Sequence, residues 1–199
     1  MKTTLVALLL LVPALAHADD DRKGLVGADF ELLPSGTFDG SFLGFSGSQS
    51  LDTAYGVGLF FDDSIDKYVT VGFAPRFLFN VITKNSNGDA STQLDLRARV
   101  TAGPTIAPHL RVYALAEPGY SIIFPPKDSN GNSVHPNGFV INAGGGLAYA
   151  LSPSLHGYFE VAYQWGFQTY SYESNGFSTS GDFNTSYLQL GFGLAATID

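Results

Sequence analysis

The sequence predicts an all-β protein with an eight-stranded antiparallel up-and-down transmembrane β-barrel, and three observations lead to this fold class. Eight segments alternate between large apolar residues and small or polar ones, which is the period of two that extended strands show. The connections between these segments are alternately long and short. The composition is rich in aromatic residues and glycine, with 16 Phe, 10 Tyr and 23 Gly, but has no cysteine and only 14% charged residues.

Residues 93–102 show the alternation most clearly. One side of the extended chain is wholly apolar, with Leu94, Leu96, Ala98, Val100 and Ala102. The other side carries the polar and charged residues Gln93, Asp95, Arg97, Arg99 and Thr101. Because successive side chains of a strand point to opposite faces, this segment is predicted to have one apolar face and one charged face.

The eight predicted strands are joined by connections of alternating length. They cover residues 24–33, 51–61, 69–81, 93–106, 110–123, 138–151, 155–170 and 185–198. The long connections, 34–50, 83–89, 125–137 and 171–184, are rich in residues that favour turns. The short ones are 62–67, 107–109 and 152–154. Outer-membrane barrels have long extracellular loops and short periplasmic turns, so both chain ends are expected on the periplasmic side.

The small and charged face is expected to line the inside of the barrel. An eight-stranded barrel is only just wide enough to be filled by side chains, and this face is crowded with small residues, among them Gly56, Gly58, Gly72, Ala74, Gly144, Gly146, Gly191 and Gly193. Large apolar side chains on the other face suit lipid. A soluble secreted lipid-binding barrel has the opposite arrangement and is favoured if the protein stays in water without detergent.

Aromatic residues cluster near the predicted strand ends, as expected of interfacial anchors. Near the long-loop ends lie Phe79, Phe124, Phe139, Trp165, Phe167, Tyr170 and Tyr187. Near the short-turn ends lie Phe61, Tyr68 and Tyr149. Two belts separated by aliphatic positions are predicted to sit at the two membrane surfaces.

Charged residues on the inner face are predicted to meet at similar depth in the lumen. They are Glu31, Arg76, Asp95, Arg97, Arg99, Glu117 and Glu160. Enclosed charges are stable only when they are paired, so the prediction is an electrostatic plug that closes the barrel. A narrow gated pore with exchangeable ion pairs is one alternative, and acid–base catalysis by Glu117 and Glu160 is another. Nearby arginines should keep both carboxylates ionised, which disfavours catalysis.

The N-terminus is typical of an exported protein. A basic start, an apolar run and the small-residue site Ala16-His17-Ala18 predict a signal peptide over residues 1–18, cleaved after Ala18. Residues 19–23 are then a short acidic periplasmic leader, and 24–199 the barrel domain. The net charge of −8 disfavours nucleic acid as a partner. An exported, cysteine-free and aromatic-rich chain indicates the outer membrane of a Gram-negative cell.

The whole mature pattern resembles the small outer-membrane β-barrel family, the OmpA-like and OmpX-like eight-stranded proteins. Glu117-Pro118-Gly119-Tyr120 is similar to a Gly-Tyr strand ending of these barrels, and Gln189-Leu190-Gly191 with Leu194 and Ala196 is similar to their last-strand assembly signal, although the chain ends Ile198-Asp199 rather than in an aromatic residue. The resemblance implies contact with outer-membrane lipid and lipopolysaccharide and insertion by the barrel-assembly machinery. With no peptidoglycan-binding domain after the barrel, an anchoring role is not expected.

The expected function is structural or surface-interactive, with a small low-conductance channel as the alternative. A lipid-modifying barrel enzyme needs a Ser and a His within hydrogen-bond reach near the outer leaflet, whereas His109 and His156 lie beside periplasmic turns and His135 lies in a loop. No cofactor, metal site or catalytic residue is predicted. The Phe-containing loop 40–47 is a candidate adhesive tip, but its extracellular partner is not identified by the sequence.

Overall fold

The computed structural model describes residues 24–42, 45–82, 90–126, 134–174 and 177–198. These residues form ten strands: β1 (Gly24–Phe42), β2 (Phe45–Leu51), β3 (Ala54–Ser64), β4 (Val69–Val81), β5 (Ser91–Ala102), β6 (Thr105–Ala107), β7 (Leu110–Phe124), β8 (Asn137–Ser152), β9 (Leu155–Ser174) and β10 (Phe177–Ile198). The predicted signal peptide 1–18, the leader 19–23, the connection 83–89 and residues 43–44 of the candidate adhesive tip lie outside the described residues. Among those described, no helix is long and apolar enough to cross a membrane.

Eight of these strands close into one antiparallel barrel, in the order β1, β3, β4, β5, β7, β8, β9 and β10. The barrel is closed by pairing of β1 with β10, which runs from Gly24 opposite Ile198 to Gly40 opposite Phe183 with one register shift on the way. β2 continues alongside the outer part of β1, and β6 pairs with the start of β7. The predicted eight-stranded antiparallel fold is therefore confirmed.

The alternating pattern separates an apolar outside from a polar inside, as predicted. In β3, burial alternates strictly from Ala54 to Phe61, with Tyr55, Val57, Leu59 and Phe61 exposed and the residues between them buried. In β5, Leu96 and Val100 are exposed. The buried members of the same strand are Ser91, Gln93, Asp95, Arg97, Arg99 and Thr101. The large side chains on the outside are apolar, as expected of a surface that faces lipid, where charged groups are unfavourable.

Two of the predicted long loops are mostly strand. β1 runs on to Phe42 and pairs with β2, and β9 and β10 form a second hairpin that reaches Ser174 and Phe177. Strand formation outside an apolar band needs only a backbone partner, which the hairpin and the β1–β10 pairing supply. Both hairpins lie at one end of the barrel, here called the hairpin end. The other end is called the turn end. It holds the short connections and the residues at which the barrel begins and ends, Gly24 and Ile198.

The strands at the turn end also differ from the predicted bounds. β3 extends to Ser64, so Asp62 belongs to the strand and not to the turn. β5 ends at Ala102 instead of residue 106, and β6 follows as a separate piece. Pro104 separates the two because proline has no backbone N–H for the ladder.

Two register shifts reverse which side chains face inward near the hairpin end. The first lies between Leu32 and Ser35 in β1, and the second, between Phe79 and Val81 in β4, includes Asn80 with a φ of 59°. Each shift changes the alternation by one residue. As a result Val81, which the pattern places on the lipid face, is fully buried inside.

Inward side chains beside these shifts form an apolar cluster in the hairpin end of the barrel, here called the apolar cap. Its members are Leu33, Phe38, Leu51, Ala54, Leu78, Val81, Ile82, Ile123, Phe183 and Tyr187. Phe38 and Phe183 stack with 5.2 Å between ring centroids. The backbone N–H of Ile82 donates to the hydroxyl of Tyr187 at 3.1 Å. Tyr187, predicted as an interfacial anchor, is therefore part of the interior.

Candidate functional site

The seven charged residues predicted to line the lumen all lie inside the barrel, and every one of them is almost fully buried. They come from five strands: Glu31 from β1, Arg76 from β4, Asp95, Arg97 and Arg99 from β5, Glu117 from β7 and Glu160 from β9. The structure brings all seven into one set of ion pairs, here called the lumen network. Alternation in each strand places these side chains on the inner face.

Glu117 is the centre of the lumen network because it contacts all three arginines. Its Oε1 lies 2.5 Å from Arg99 Nη1 and 3.3 Å from Arg76 Nη2. Its Oε2 lies 3.2 Å from Arg97 Nη1 and accepts a hydrogen bond from Asn142 Nδ2 at 3.0 Å. A carboxylate shared in this way fixes the positions of three guanidinium groups.

Arg76 connects Glu117 to two carboxylates of β1. Its Nη1 lies 2.8 Å from Asp29 Oδ2, and its Nε lies 2.7 Å from Glu31 Oε1. Tyr158 of β9 donates to Asp29 Oδ2 at 3.0 Å. The lumen network therefore joins strands on both sides of the barrel through charge-assisted bonds, which are stronger than neutral ones.

Arg97 and Arg99 extend the lumen network across the barrel. Arg97 Nη2 lies 2.5 Å from Asp95 Oδ2 and donates to Gln164 Oε1 of β9 at 2.9 Å. Arg99 pairs with Glu160 of β9 through both terminal nitrogens, and its Nε lies 3.1 Å from Asp62 Oδ2. Since β7 and β8 separate β5 from β9 in the sheet, these contacts span the lumen.

Sequence reasoning missed two acids of the lumen network, Asp29 and Asp62. Asp29 lies on the same face of β1 as Glu31, so alternation could have found it. The polar composition of residues 62–67 predicts a turn, whereas Asp62 lies in β3. In all, six carboxylates contact three guanidinium groups within the described residues. Glu31 Oε2 and Asp62 Oδ1 have no hydrogen-bond partner there.

Small residues leave the room that the arginines need. A Cβ on Gly58 of β3 would collide with Arg76 Nη1 and Asp29 Oδ1. A Cβ on Gly191 of β10 would meet only Glu160, at 3.7 Å, which is ordinary contact. The space next to Gly58 is therefore occupied by the Arg76–Asp29 pair, as expected of a lumen that is filled by side chains.

Most of the predicted aromatic anchors point outward. Phe61, Tyr68, Phe124, Phe139, Tyr149, Trp165 and Phe167 are exposed, and Phe79 stacks on the exposed ring of Tyr55. On β8, residues 139 and 149 are separated by about 25 Å along the barrel axis for a strand tilted by about 40°. That spacing equals the height of the apolar band of an outer-membrane barrel, about 25 Å.

Tyr170 does not belong to the outward aromatic set. It is half-buried and packs against the apolar cap, with its ring centroid 6.3 Å from that of Phe183. The outward side chains of β9 are at odd positions, from Leu155 to Phe167, so an even-numbered residue of this strand faces inward. The prediction of Tyr170 as an interfacial anchor was wrong for that reason.

The described residues contain no side-chain cluster typical of a metal site. No group of three or more His, Cys, Asp or Glu side chains within them could hold a metal ion. Glu117 and Glu160 both contact Arg99, so neither is placed as a free acid or base. His156 contacts Thr197 at 3.2 Å, and His109 packs against the ring of Tyr149.

Comparison with known proteins identifies the family. A family model described as the outer membrane protein beta-barrel domain matches residues 4–195. The chain belongs to the outer membrane protein β-barrel domain family. It is thus an outer-membrane β-barrel protein. No curated protein sequence gives a significant match.

Solved structures with the same fold include several small outer-membrane barrels. OprG from Pseudomonas aeruginosa has a TM-score of 0.64 at 13% identity, over 88% of this chain and 95% of that one. AlkL in lipid bilayers has a TM-score of 0.62 at 12% identity, over 92% and 93%. Neisserial surface protein A has a TM-score of 0.56 at 12% identity, over 87% and 96%. At these identities the likeness concerns the fold.

Proposed function

We propose that this outer-membrane β-barrel is closed and non-enzymatic, and that its role is structural or surface-interactive. The observation that supports this most is the position of Glu117, which contacts three arginines while those arginines contact acids from other strands. Moving any one charge leaves others unpaired in an enclosed space, which costs several kcal/mol. The apolar cap supports closure at the hairpin end with a second, chemically different layer.

The hairpin end is proposed to be extracellular and the turn end periplasmic, because short connections face the periplasm in this class of barrel. Export then uses the signal peptide over residues 1–18, and insertion uses the barrel-assembly machinery. Outer-membrane lipid and lipopolysaccharide contact the exposed apolar band. The β1–β2 and β9–β10 hairpins are the surfaces offered to an extracellular partner, since binding residues concentrate on loops carried by a rigid scaffold.

A small low-conductance channel is the second candidate. Arg76 and Arg99 each contact three carboxylates, and Arg97 contacts two, so an arginine could exchange one acid for another as the lumen opens. A cavity at the turn end also enters the barrel and reaches Arg99 and Asp62 of the lumen network. A channel needs both the lumen network and the apolar cap to rearrange.

Planar-bilayer recordings of the purified protein test this choice. A closed barrel gives no current, and Arg97→Ala and Glu117→Ala stay silent as long as the apolar cap holds. Current through the wild type that changes in Arg97→Ala, but not in Leu96→Ala on the lipid face of the same strand, overturns closure and favours the channel. Leu96→Ala is the control, because a change of current in both Arg97→Ala and Leu96→Ala would indicate a damaged barrel wall and not conduction through the lumen.

A further inference from the structure

The turn end of the barrel contains a cavity of about 280 Å³ that the proposed function does not use. Arg99 and Asp62 of the lumen network form its inner end, and Arg111, His109 and His156 line it farther out. We call this cavity the vestibule. It is large enough for a small organic anion or for several water molecules.

Arg111 differs from the other arginines of the barrel interior. Its guanidinium donates to neutral acceptors only, namely the backbone oxygens of Tyr68 at 3.0 Å and Gly103 at 3.3 Å and the hydroxyl of Thr101 at 3.1 Å. The arginines of the lumen network each pair with two or more acids, whereas Arg111 forms no ion pair with any residue that the structure describes. Its side chain is held in place by these neutral groups, and Asp62 acts on its charge only from beyond ion-pair distance.

Asp62 is the one carboxylate among the described residues that line the vestibule. Asp62 is engaged by Arg99 at 3.1 Å, and its remaining oxygen, Oδ1, lies against Gly72 in the wall of β4. Arg99 is itself paired with two further acids of the lumen network. The imidazole of His156, hydrogen-bonded to Thr197, adds a polar group that can donate.

We propose that the vestibule binds a small anion that carries a carboxylate or phosphate group, with Arg111 as the fixed positive charge. A guanidinium presents a planar set of donors that matches both groups. Three of its contacts orient it from the strand and turn side, so binding an anion requires little ordering of the arginine. The site is independent of whether the lumen network conducts.

Carboxylates could come from two sources, the solution or the chain itself. Asp19, Asp20 and Asp21 precede β1 and lie outside the described residues, and Leu25, near the start of β1, lines the vestibule. The chain from Asp21 to Gly24 can span up to about 10 Å, which is enough for the leader to reach back to the cavity. The chemistry at Arg111 is the same in both cases.

The absence of cysteine from the sequence makes a labelling test direct. Ala150→Cys places one thiol in the vestibule wall, and Ser154→Cys places one on the exposed turn outside it. In the refolded mature protein, an anionic methanethiosulfonate reagent is expected to modify the vestibule thiol faster than a cationic reagent of similar size. Adding Arg111→Gln should slow labelling by the anionic reagent by about threefold. Adding Arg111→Lys instead should leave that labelling rate close to the rate in Ala150→Cys alone. Lys67→Gln, which removes a charge of the β3–β4 turn outside the vestibule, should have no effect.

Binding is then measured as protection. Inorganic phosphate or succinate should protect the vestibule thiol of the Ala150→Cys variant from a neutral reagent in a saturable manner. This protection should be lost when Arg111→Gln is added, and it should be absent from the turn thiol of the Ser154→Cys variant. Equal rates for both charged reagents, or protection that does not depend on Arg111, overturns the proposal.

Replacing Asp19, Asp20 and Asp21 by Asn in the Ala150→Cys variant distinguishes the two sources. Faster anionic labelling after this replacement identifies the leader as the occupant of the vestibule. An unchanged rate, with phosphate protection intact, identifies a free anion. Both results depend on Arg111 in the same way, so Arg111→Gln is the control for each.

Discussion

Arg99 of β5 and Glu160 of β9 form a two-pronged ion pair across the lumen, and Tyr113 donates a further hydrogen bond to the same carboxylate at 2.6 Å. The two charged residues are 61 positions apart in the sequence. Both side chains are almost fully buried, at 2% and 5% exposure. The pair therefore ties opposite parts of the barrel wall to each other through its interior.

A double-mutant cycle should reveal this tie. Arg99→Met or Glu160→Gln alone is expected to lower the free energy of unfolding by about 3 kcal/mol, because each leaves a buried charge short of a partner. The loss in the double variant should be about 1–3 kcal/mol smaller than the sum of the losses in the two single variants. Urea titration in lipid vesicles, followed by the fluorescence of the single tryptophan, Trp165, measures all four proteins. Pairing Arg99→Met with Asp182→Asn, on the distant hairpin, should give additive losses; coupling there as well would mean the effect is not specific to the pair.

Gly58→Ala should destabilise the barrel, although it adds only one methyl group. Its Cβ would overlap Arg76 and Asp29, and overpacking of this kind costs about 1–3 kcal/mol. Gly191→Ala is the matched control, since its Cβ has room beside Glu160. Heat-modifiable migration on a gel and urea titration report the folded fraction. Equal stability of the two variants would show that the Arg76–Asp29 pair does not pass beside Gly58.

Tyr187→Phe should weaken the apolar cap by removing the oxygen that accepts the N–H of Ile82. An unpaired buried N–H costs about 1–3 kcal/mol. Tyr163→Phe removes a hydroxyl that contacts Ser186 at the exposed surface and should change stability by about 0.5 kcal/mol or less. Hydrogen exchange of the Ile82 amide should rise in the first variant only. If both variants exchange alike, Tyr187 does not hold this amide.

Leu96→Arg tests which face meets lipid. Leu96 is exposed near the middle of β5, where an arginine is expected to cost about 2–4 kcal/mol. Leu151→Arg, close to the β8–β9 turn, should cost about 0–1 kcal/mol because charged side chains are tolerated near the membrane surface. Folding yield into lipid vesicles measures both. Similar losses at the two depths would contradict the placement of β5 across the apolar band.

Alternation predicted the barrel and its charged interior because lipid and lumen select opposite residue types on successive positions. The same rule also places Tyr170 and Tyr187 inward, since each has the parity of the interior residues of its strand. Their positions near the strand ends favour an interfacial assignment, whereas their parity indicates the interior. For these two residues, the sequence contained enough information for the correct assignment.

Part of the apolar cap could not be predicted from the same pattern. Phe38 and Val81 face inward only because the register shifts near Pro34 and Asn80 move the alternation by one residue. Such a shift depends on local backbone conformation and pairing, and it has no periodic signal. The Gly- and Ser-rich composition of 34–50 also concealed a strand hairpin, because hydrogen bonding to β1 and not hydrophobicity sustains β2.

Closure by β1 and β10 has a consequence for how the protein assembles. The two strands come from opposite ends of the sequence, yet they supply each other's backbone partners along most of their length. Until β10 is in place, both edges of the growing sheet carry unpaired N–H and C=O groups, which lipid cannot satisfy. A sheet of seven strands is therefore not a stable stopping point in the bilayer. Insertion is therefore expected to be coupled to closure, which depends on the strand pairing with the greatest sequence separation in the barrel.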